Sequence, residues 1–250
     1  MLRKDTHVDK AESYDIGRPN YPESFFDYLY KEIGMSDKSV IADIGAGTGK
    51  ITKKFLERGN KVFAVEPDKN MMKILKTNLS QFTNCVPLES TAENTGILSN
   101  SIDFIFCGNS YMWFNRNDVI PEFQRIIRDC KSQNIIIARL GPGDNIYSKE
   151  FLEINNRFSK PVSSIQPNNS AFFANDMFVS ETFNYTLHQG FDEFLHGCLS
   201  ASSSPNIGDN NYEEYCLSLK KLFDKYSTNG QLEGQFCLYC TIGDVKNLIM

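Results

Sequence analysis

The chain has 250 residues, a formal net charge of -5 and ordinary hydrophobic and charged fractions of 41% and 23%. That length suits one domain of usual size. The acidic balance gives no basic footprint for nucleic acid or an anionic membrane surface, and no apolar run is long enough to span a bilayer. The first residues, MLRKDTHVDKAESYDIGRP, lack the apolar core of a secretory leader, so the seven cysteines are expected to be reduced thiols in a cytoplasmic protein, Cys85, Cys107 and Cys130 among them.

A short helix fits before Gly17, after which Pro19 and Pro22 impose extended backbone. A helix over 22–34 follows, with Phe25, Phe26, Leu29 and Ile33 at helical spacing and Pro22 in its first turn.

The stretch over 40–59 organises the rest. Val40-Ile41-Ala42 reads as a buried parallel strand, and Asp43-Ile44-Gly45-Ala46-Gly47-Thr48-Gly49 as a glycine turn. An amphipathic helix then carries Ile51, Phe55 and Leu56 on one stripe, with Gly59 closing it. Strand, glycine turn and helix in that order make the mouth of a doubly wound α/β sheet, where backbone can approach a ligand. The dinucleotide pattern G-x-G-x-x-G would need a glycine at Lys50, and the phosphate loop would need one at Ile44, so neither fits. What stands here is D-x-G-x-G-x-G.

The second strand, 61–65, ends in Glu66-Pro67-Asp68. An acid at this point accepts hydrogen bonds from a ribose diol, and Asp68 suits the cap of the next helix. On that helix Met71 or Met72 would lie against an adenine face, or both pack in the core. A third strand around 85–88 leads to Ser90-Thr91-Ala92-Glu93-Asn94. Here Ala92 and Glu93 would border the adenine and accept from its exocyclic amine; a helix-capping turn is an equal reading.

The fourth strand, 101–108, ends at Asn109-Ser110-Tyr111-Met112-Trp113-Phe114-Asn115, which holds the single tryptophan. Open α/β sheets place their active-site loops at this end of a central strand, so Tyr111, Trp113 and Phe114 are expected to wall a bound acceptor. Asn117 or Asp118 would cap the next helix, and the fifth strand is expected over 134–140, ended by Gly141-Pro142-Gly143.

Beyond that the strand–helix alternation breaks. A helix around Phe151, Leu152 and Ile154 precedes a Ser/Pro/Asn-rich connection over 159–170. A sixth strand is expected over 179–187, helices over 191–199 and 212–226, and a last strand over 235–241. Cys237-Leu238-Tyr239-Cys240 has no second ligand pair, and in a strand its cysteines face opposite sides, so no metal site is expected.

Asp43, Gly45, Gly47 and Gly49 resemble motif I of the class I S-adenosylmethionine-dependent methyltransferases. Glu66 matches their ribose acid, and Ala92-Glu93 their adenine-side loop. Tyr14, Arg18, Pro19, Tyr21 and Pro22 match the Y-x-x-x-R-P-x-Y-P arm of the trans-aconitate- and quinone-methyltransferase-like subgroup. The resemblance implies a doubly wound, mostly parallel α/β sheet of seven strands. It implies one methyltransferase domain over 1–250, with an N-terminal arm over 1–22 and cap insertions over 144–179 and 191–229. S-adenosylmethionine would be held by Tyr14, Arg18, Asp43, Gly45, Ala46, Gly47, Gly49, Glu66, Pro67, Met71, Ala92, Glu93 and Asn109. The implied reaction is methyl transfer to a small molecule by a monomer or homodimer, with no nucleic-acid partner. The subgroup's histidine before Trp-Phe is Met112 here, which leaves cofactor binding without methyl transfer as the alternative and no catalytic base identified.

Overall fold

The computed structural model describes residues 6–128, 133–160, 172–174 and 177–249. Cys130, the 161–170 part of the Ser/Pro/Asn-rich connection and residues 175–176 of the expected cap lie outside them. The chain divides into two units. One comprises the described residues of Met1–Asn20, Gly141–Ser163 and Asn184–Cys237; the other those of Tyr21–Leu140, Ser164–Phe183 and Leu238–Met250.

Seven strands form one sheet in the order β3-β2-β1-β4-β5-β7-β6. They are β1 (Val40–Ile44), β2 (Lys61–Val65), β3 (Cys85–Leu88), β4 (Phe104–Gly108), β5 (Ile135–Pro142), β6 (Phe178–Gln189) and β7 (Leu232–Gly243). The pairs β1/β2, β1/β4, β2/β3 and β4/β5 are parallel. β1 and β4 are almost wholly buried, as expected of strands covered on both faces.

At the β3 edge the Asn84 and Leu88 carbonyls accept from Val62 N–H of β2 and from Glu66 N–H just past it. By alternation Pro87 directs its backbone nitrogen outward, where a missing N–H breaks no ladder bond.

In the second unit α2 (Glu23–Lys31) precedes β1, and α3 (Lys50–Glu57), α4 (Lys69–Asn78) and α5 (Arg116–Ile126) connect β1 to β2, β2 to β3 and β4 to β5. One sheet face packs Phe25 on Phe26, Phe26 on Phe55 and Phe55 on Phe106 edge-on at centroid distances of 5.1 to 5.6 Å, with Phe25 and Phe106 tilted at 6.2 Å. The other buries Ile105, Cys107, Ile135 and Ile137 against Phe123, Phe172 and Phe173.

The first unit has its own core. Phe194, Tyr215, Leu219, Leu222 and Phe223 pack between α6 (Ser148–Phe158), α7 (Phe191–Leu199) and α8 (Tyr212–Tyr226). α1 (Thr6–Gly17) lies along α7. The two meet at glycines so closely that a Cβ on Gly17 would stand 1.9 Å from the Gly197 nitrogen. His196 Nδ1 and Ser13 Oγ are 3.0 Å apart at the same crossing.

Three sequence expectations need correction. α2 starts after Pro22, which is its N-cap and not part of the first turn. α5 is capped by Asn115, whose side chain accepts from Asn117 N–H, so neither Asn117 nor Asp118 is the cap. β5 runs on through Gly141 and Pro142 and does not stop at Leu140.

Candidate active site

β1 delivers the chain to the glycine turn. Gly45 and Ala46 N–H both donate to the Val65 carbonyl, at 2.9 and 3.0 Å, which clamps the turn to the end of β2. Gly45, Gly47 and Gly49 have φ of 74, 59 and 83°, a left-handed region that strains other residues. Space adds a second demand at two of them. A Cβ on Gly45 would lie 2.5 Å from Ser110 Cβ, and one on Gly49 2.8 Å from Leu79 Cδ1. Ser110 earns its closeness by donating to the Ile44 carbonyl at 2.6 Å.

Glu66 completes the mouth. Its Oε2 accepts from Gly47 N–H at 2.8 Å and its Oε1 from Asp68 N–H at 3.0 Å. The acid at the end of β2 is therefore fastened directly to the glycine turn. Burial raises its pKa, and the two N–H donors oppose that rise. Pro67 follows, and Asp68 Oδ1 caps α4 by accepting from Asn70 and Met71 N–H.

Asp43 lies beneath the turn at 2% exposure, and Thr52 Oγ1 of α3 donates to its Oδ2 at 2.5 Å. Burial raises its pKa to about 7, with the neighbouring Glu66 charge adding to the rise. Thr52 escaped the sequence reading. Its signal was there: a hydroxyl on the apolar stripe it shares with Phe55 and Leu56, all three buried.

Of the two methionines, Met72 is core and Met71 is half-buried. Residues 91–94 close a tight turn with no helix after it, so the capping reading of this loop does not hold. Ala92 is buried, and Glu93 Oε1 accepts from Asn115 N–H at 3.2 Å, tying this turn to the start of α5.

Asn109 stands at φ 55° just past β4. Its N–H donates to the Ala138 carbonyl at 2.8 Å, its Oδ1 accepts from Leu140 N–H at 2.9 Å, and its Nδ2 donates to the Tyr21 hydroxyl at 3.2 Å. It locks the ends of β4 and β5 together. A single tight helical turn, Tyr111–Trp113, follows.

The three expected acceptor residues separate here. Trp113 is 58% exposed, Phe114 is half-buried, and Tyr111 packs in the core at 2% exposure, its ring edge-on to Phe172 at 5.2 Å. Tyr111 therefore lines no open wall in this structure, and its hydroxyl is buried without a hydrogen-bond partner.

Tyr14 and Arg18 belong to the first unit, where the Arg18 guanidinium lies 5.1 Å from the Tyr14 ring centroid. Among the described residues no group of three or more His, Cys, Asp and Glu is placed to hold a metal ion. No helix among them is long and apolar enough to cross a membrane. Cys240 is buried and Cys237 half-buried.

Residues 42–130, which hold the glycine turn, Glu66 and Asn109, match the methyltransferase domain family. Over this stretch the chain is similar to methyltransferases. An uncharacterised methyltransferase of Mycobacterium tuberculosis is 35% identical to it over 116 residues, 46% of this chain and 45% of that one. The chain thus spans about half the length of the curated relatives it matches.

The methyltransferase fold is shared with solved structures. A protein of Anaeromyxobacter dehalogenans, assigned to the type II methyltransferases, superposes with a TM-score of 0.64 at 17% identity, over 91% of this chain and 98% of that one. Phosphoethanolamine N-methyltransferase 2 of Haemonchus contortus, solved with phosphomonomethylethanolamine and S-adenosylhomocysteine, gives 0.54 at 16% identity, over 97% and 58%.

Proposed function

We propose that this chain transfers a methyl group from S-adenosylmethionine to a small-molecule acceptor by in-line displacement. The observation that carries this reading is the Glu66 carboxylate, buried at the end of β2 and hydrogen-bonded to Gly47 of the glycine turn. A fixed carboxylate there suits a ribose diol, and glycines 45, 47 and 49 let the backbone come close beside it. The cofactor supplies a methyl group on a sulfonium, which is a good leaving group without acid assistance.

The protein's own work is then to bind, orient and exclude water. Ala46 and Pro67 shape the two ends of the Glu66 seat. Met71 and Ala92 would flank the adenine, and Glu93 would accept from its amine. Asp43 would brace the turn from below, Asn109 would frame the mouth between β4 and β5, and Trp113 and Phe114 would meet the acceptor. The net charge of -5 favours a small molecule over nucleic acid. The Haemonchus contortus enzyme of the same fold, with S-adenosylhomocysteine in its complex, supports the choice of cofactor.

Calorimetry tests the seat. Glu66→Ala should weaken S-adenosylhomocysteine binding by about 1.5–3 kcal/mol, the worth of hydrogen bonds to a charged group. Unchanged affinity would remove Glu66 from the site. Tight binding of labelled S-adenosylmethionine with no turnover across a broad metabolite pool would select cofactor binding without methyl transfer.

A further inference from the structure

The loop that follows β3 is held in place by a helix from elsewhere in the chain. Glu122 and Arg125 stand three residues apart on α5, and so on one face of it. The Arg125 guanidinium grips the Glu122 carboxylate with two bonds, Nε to Oε2 at 2.7 Å and Nη2 to Oε1 at 2.8 Å. The same Oε1 accepts twice from Thr95, from its N–H at 2.9 Å and from its hydroxyl at 2.5 Å. Glu122 is 8% exposed and Thr95 1%. Burial pushes the Glu122 carboxyl up, but the Arg125 fork and the Thr95 donors outweigh it and hold its pKa below the ordinary value. Glu122 is therefore a charged acceptor, and bonds to a charged group are stronger than neutral ones.

Thr95 closes the turn over 91–94. Its carbonyl accepts from Ser90 Oγ at 2.9 Å, and its hydroxyl oxygen accepts from Ile97 N–H at 3.2 Å. Ser90 and Thr95, on either side of the turn, are thus bonded to each other. Arg125 extends the grip, with Nη2 donating to the Ile97 carbonyl at 2.8 Å and Nη1 to Ser99 Oγ at 3.0 Å. On the near side Glu93 Oε1 accepts from the N–H of Asn115, the cap of the same helix. The turn is fastened to α5 at both of its ends.

On the methyl-transfer reading Ala92 flanks the adenine and Glu93 accepts from its amine. A carboxylate has room for further bonds beside the one to Asn115. An acceptor fixed before its ligand arrives needs no ordering on binding, and that sharpens discrimination.

We propose that Glu122 is a positioning residue for the adenine end of the cofactor seat: clamped by Arg125, it fixes Thr95 and with it the 91–94 turn, so that selectivity for adenine is set from α5. The proposal rests on the methyl-transfer reading and assigns part of its cofactor selectivity to a side chain that acts through Thr95.

Calorimetry with two ligands tests it: S-adenosylhomocysteine, and S-inosylhomocysteine, in which an oxygen replaces the adenine amine. The wild type should prefer the adenosyl ligand by roughly tenfold or more, because the inosyl oxygen would face the Glu93 carboxylate. Glu122→Gln places an amide N–H where an oxygen accepted. It should bring that preference to about threefold or less, by weakening the adenosyl ligand and leaving the inosyl ligand nearly as it was. A residue that only supports the fold would weaken both ligands alike. Should Glu122→Gln fail to fold, Thr95→Val, which loses the hydroxyl bond, should lower the preference, and Thr95→Ser, which keeps it, should retain the wild-type preference. An unchanged preference in the folded variants, or equal losses for both ligands, overturns the proposal alone. A wild type that binds the two ligands equally removes Glu93 from the adenine and the proposal with it. Failure of the wild type to bind S-adenosylhomocysteine overturns the cofactor reading itself and takes this proposal with it.

Discussion

Asp43 ties the site to stability through its charge. Its folded pKa of about 7 stands well above the ordinary carboxylate value because burial disfavours the anion. The folded state therefore binds the proton more tightly than the unfolded state. Its contribution is fully present below the unfolded pKa and is lost as pH rises toward 7. Asp43→Asn keeps an acceptor for Thr52 and removes the titration. Its melting temperature should equal the wild type's at about pH 4 and exceed it at pH 8, and parallel melting curves across that range would refute the buried-anion account. At this scale the glycines were legible, since spacing alone marks a turn that needs positive φ. Thr52 and Ser110 were not, because their partners lie nine residues away on another element and across the sheet.

Helices in the first unit were the most readable elements. α7 and α8 fall where the apolar spacing puts them, and Tyr215, Leu219, Leu222 and Phe223 are buried as that spacing requires. The α5 cap was ambiguous because Asn115, Asn117 and Asp118 all carry capping side chains, and only the backbone direction chooses among them. What no periodicity reveals is the crossing of α1 and α7. Gly17 looked like a helix end and is also the point of closest approach. Gly17→Ala would press a methyl group into the Gly197 backbone and should cost about 1–3 kcal/mol, as overpacking does, lowering the melting temperature. Gly190→Ala, where the nearest atom is 3.9 Å away, should stay within about 1 kcal/mol of wild type. Similar losses in the two variants would mean that the helices simply move apart.

Across the whole molecule the seven strands were all anticipated, and the order β3-β2-β1-β4-β5-β7-β6 was not, because pairing depends on contacts distant in sequence. The chain passes between the two units inside β5, β6 and β7. A break within a strand is poorly suited to separate melting, so one calorimetric transition is expected. S-adenosylhomocysteine at a hundred times its dissociation constant should add about 2.7 kcal/mol of stability and raise that transition by about 5–10 °C. A ligand shift confined to one of two resolved transitions would show that the units unfold independently.

Pro87 has a consequence for crowded solutions. With no N–H to offer on the outer side of β3, that rim of the sheet cannot zip onto the strand of a neighbouring chain, whether a folded copy or a nascent one. The rim at β6 is three times as long and lacks proline throughout Phe178–Gln189, so self-association of sheets has one direction open to it and one closed.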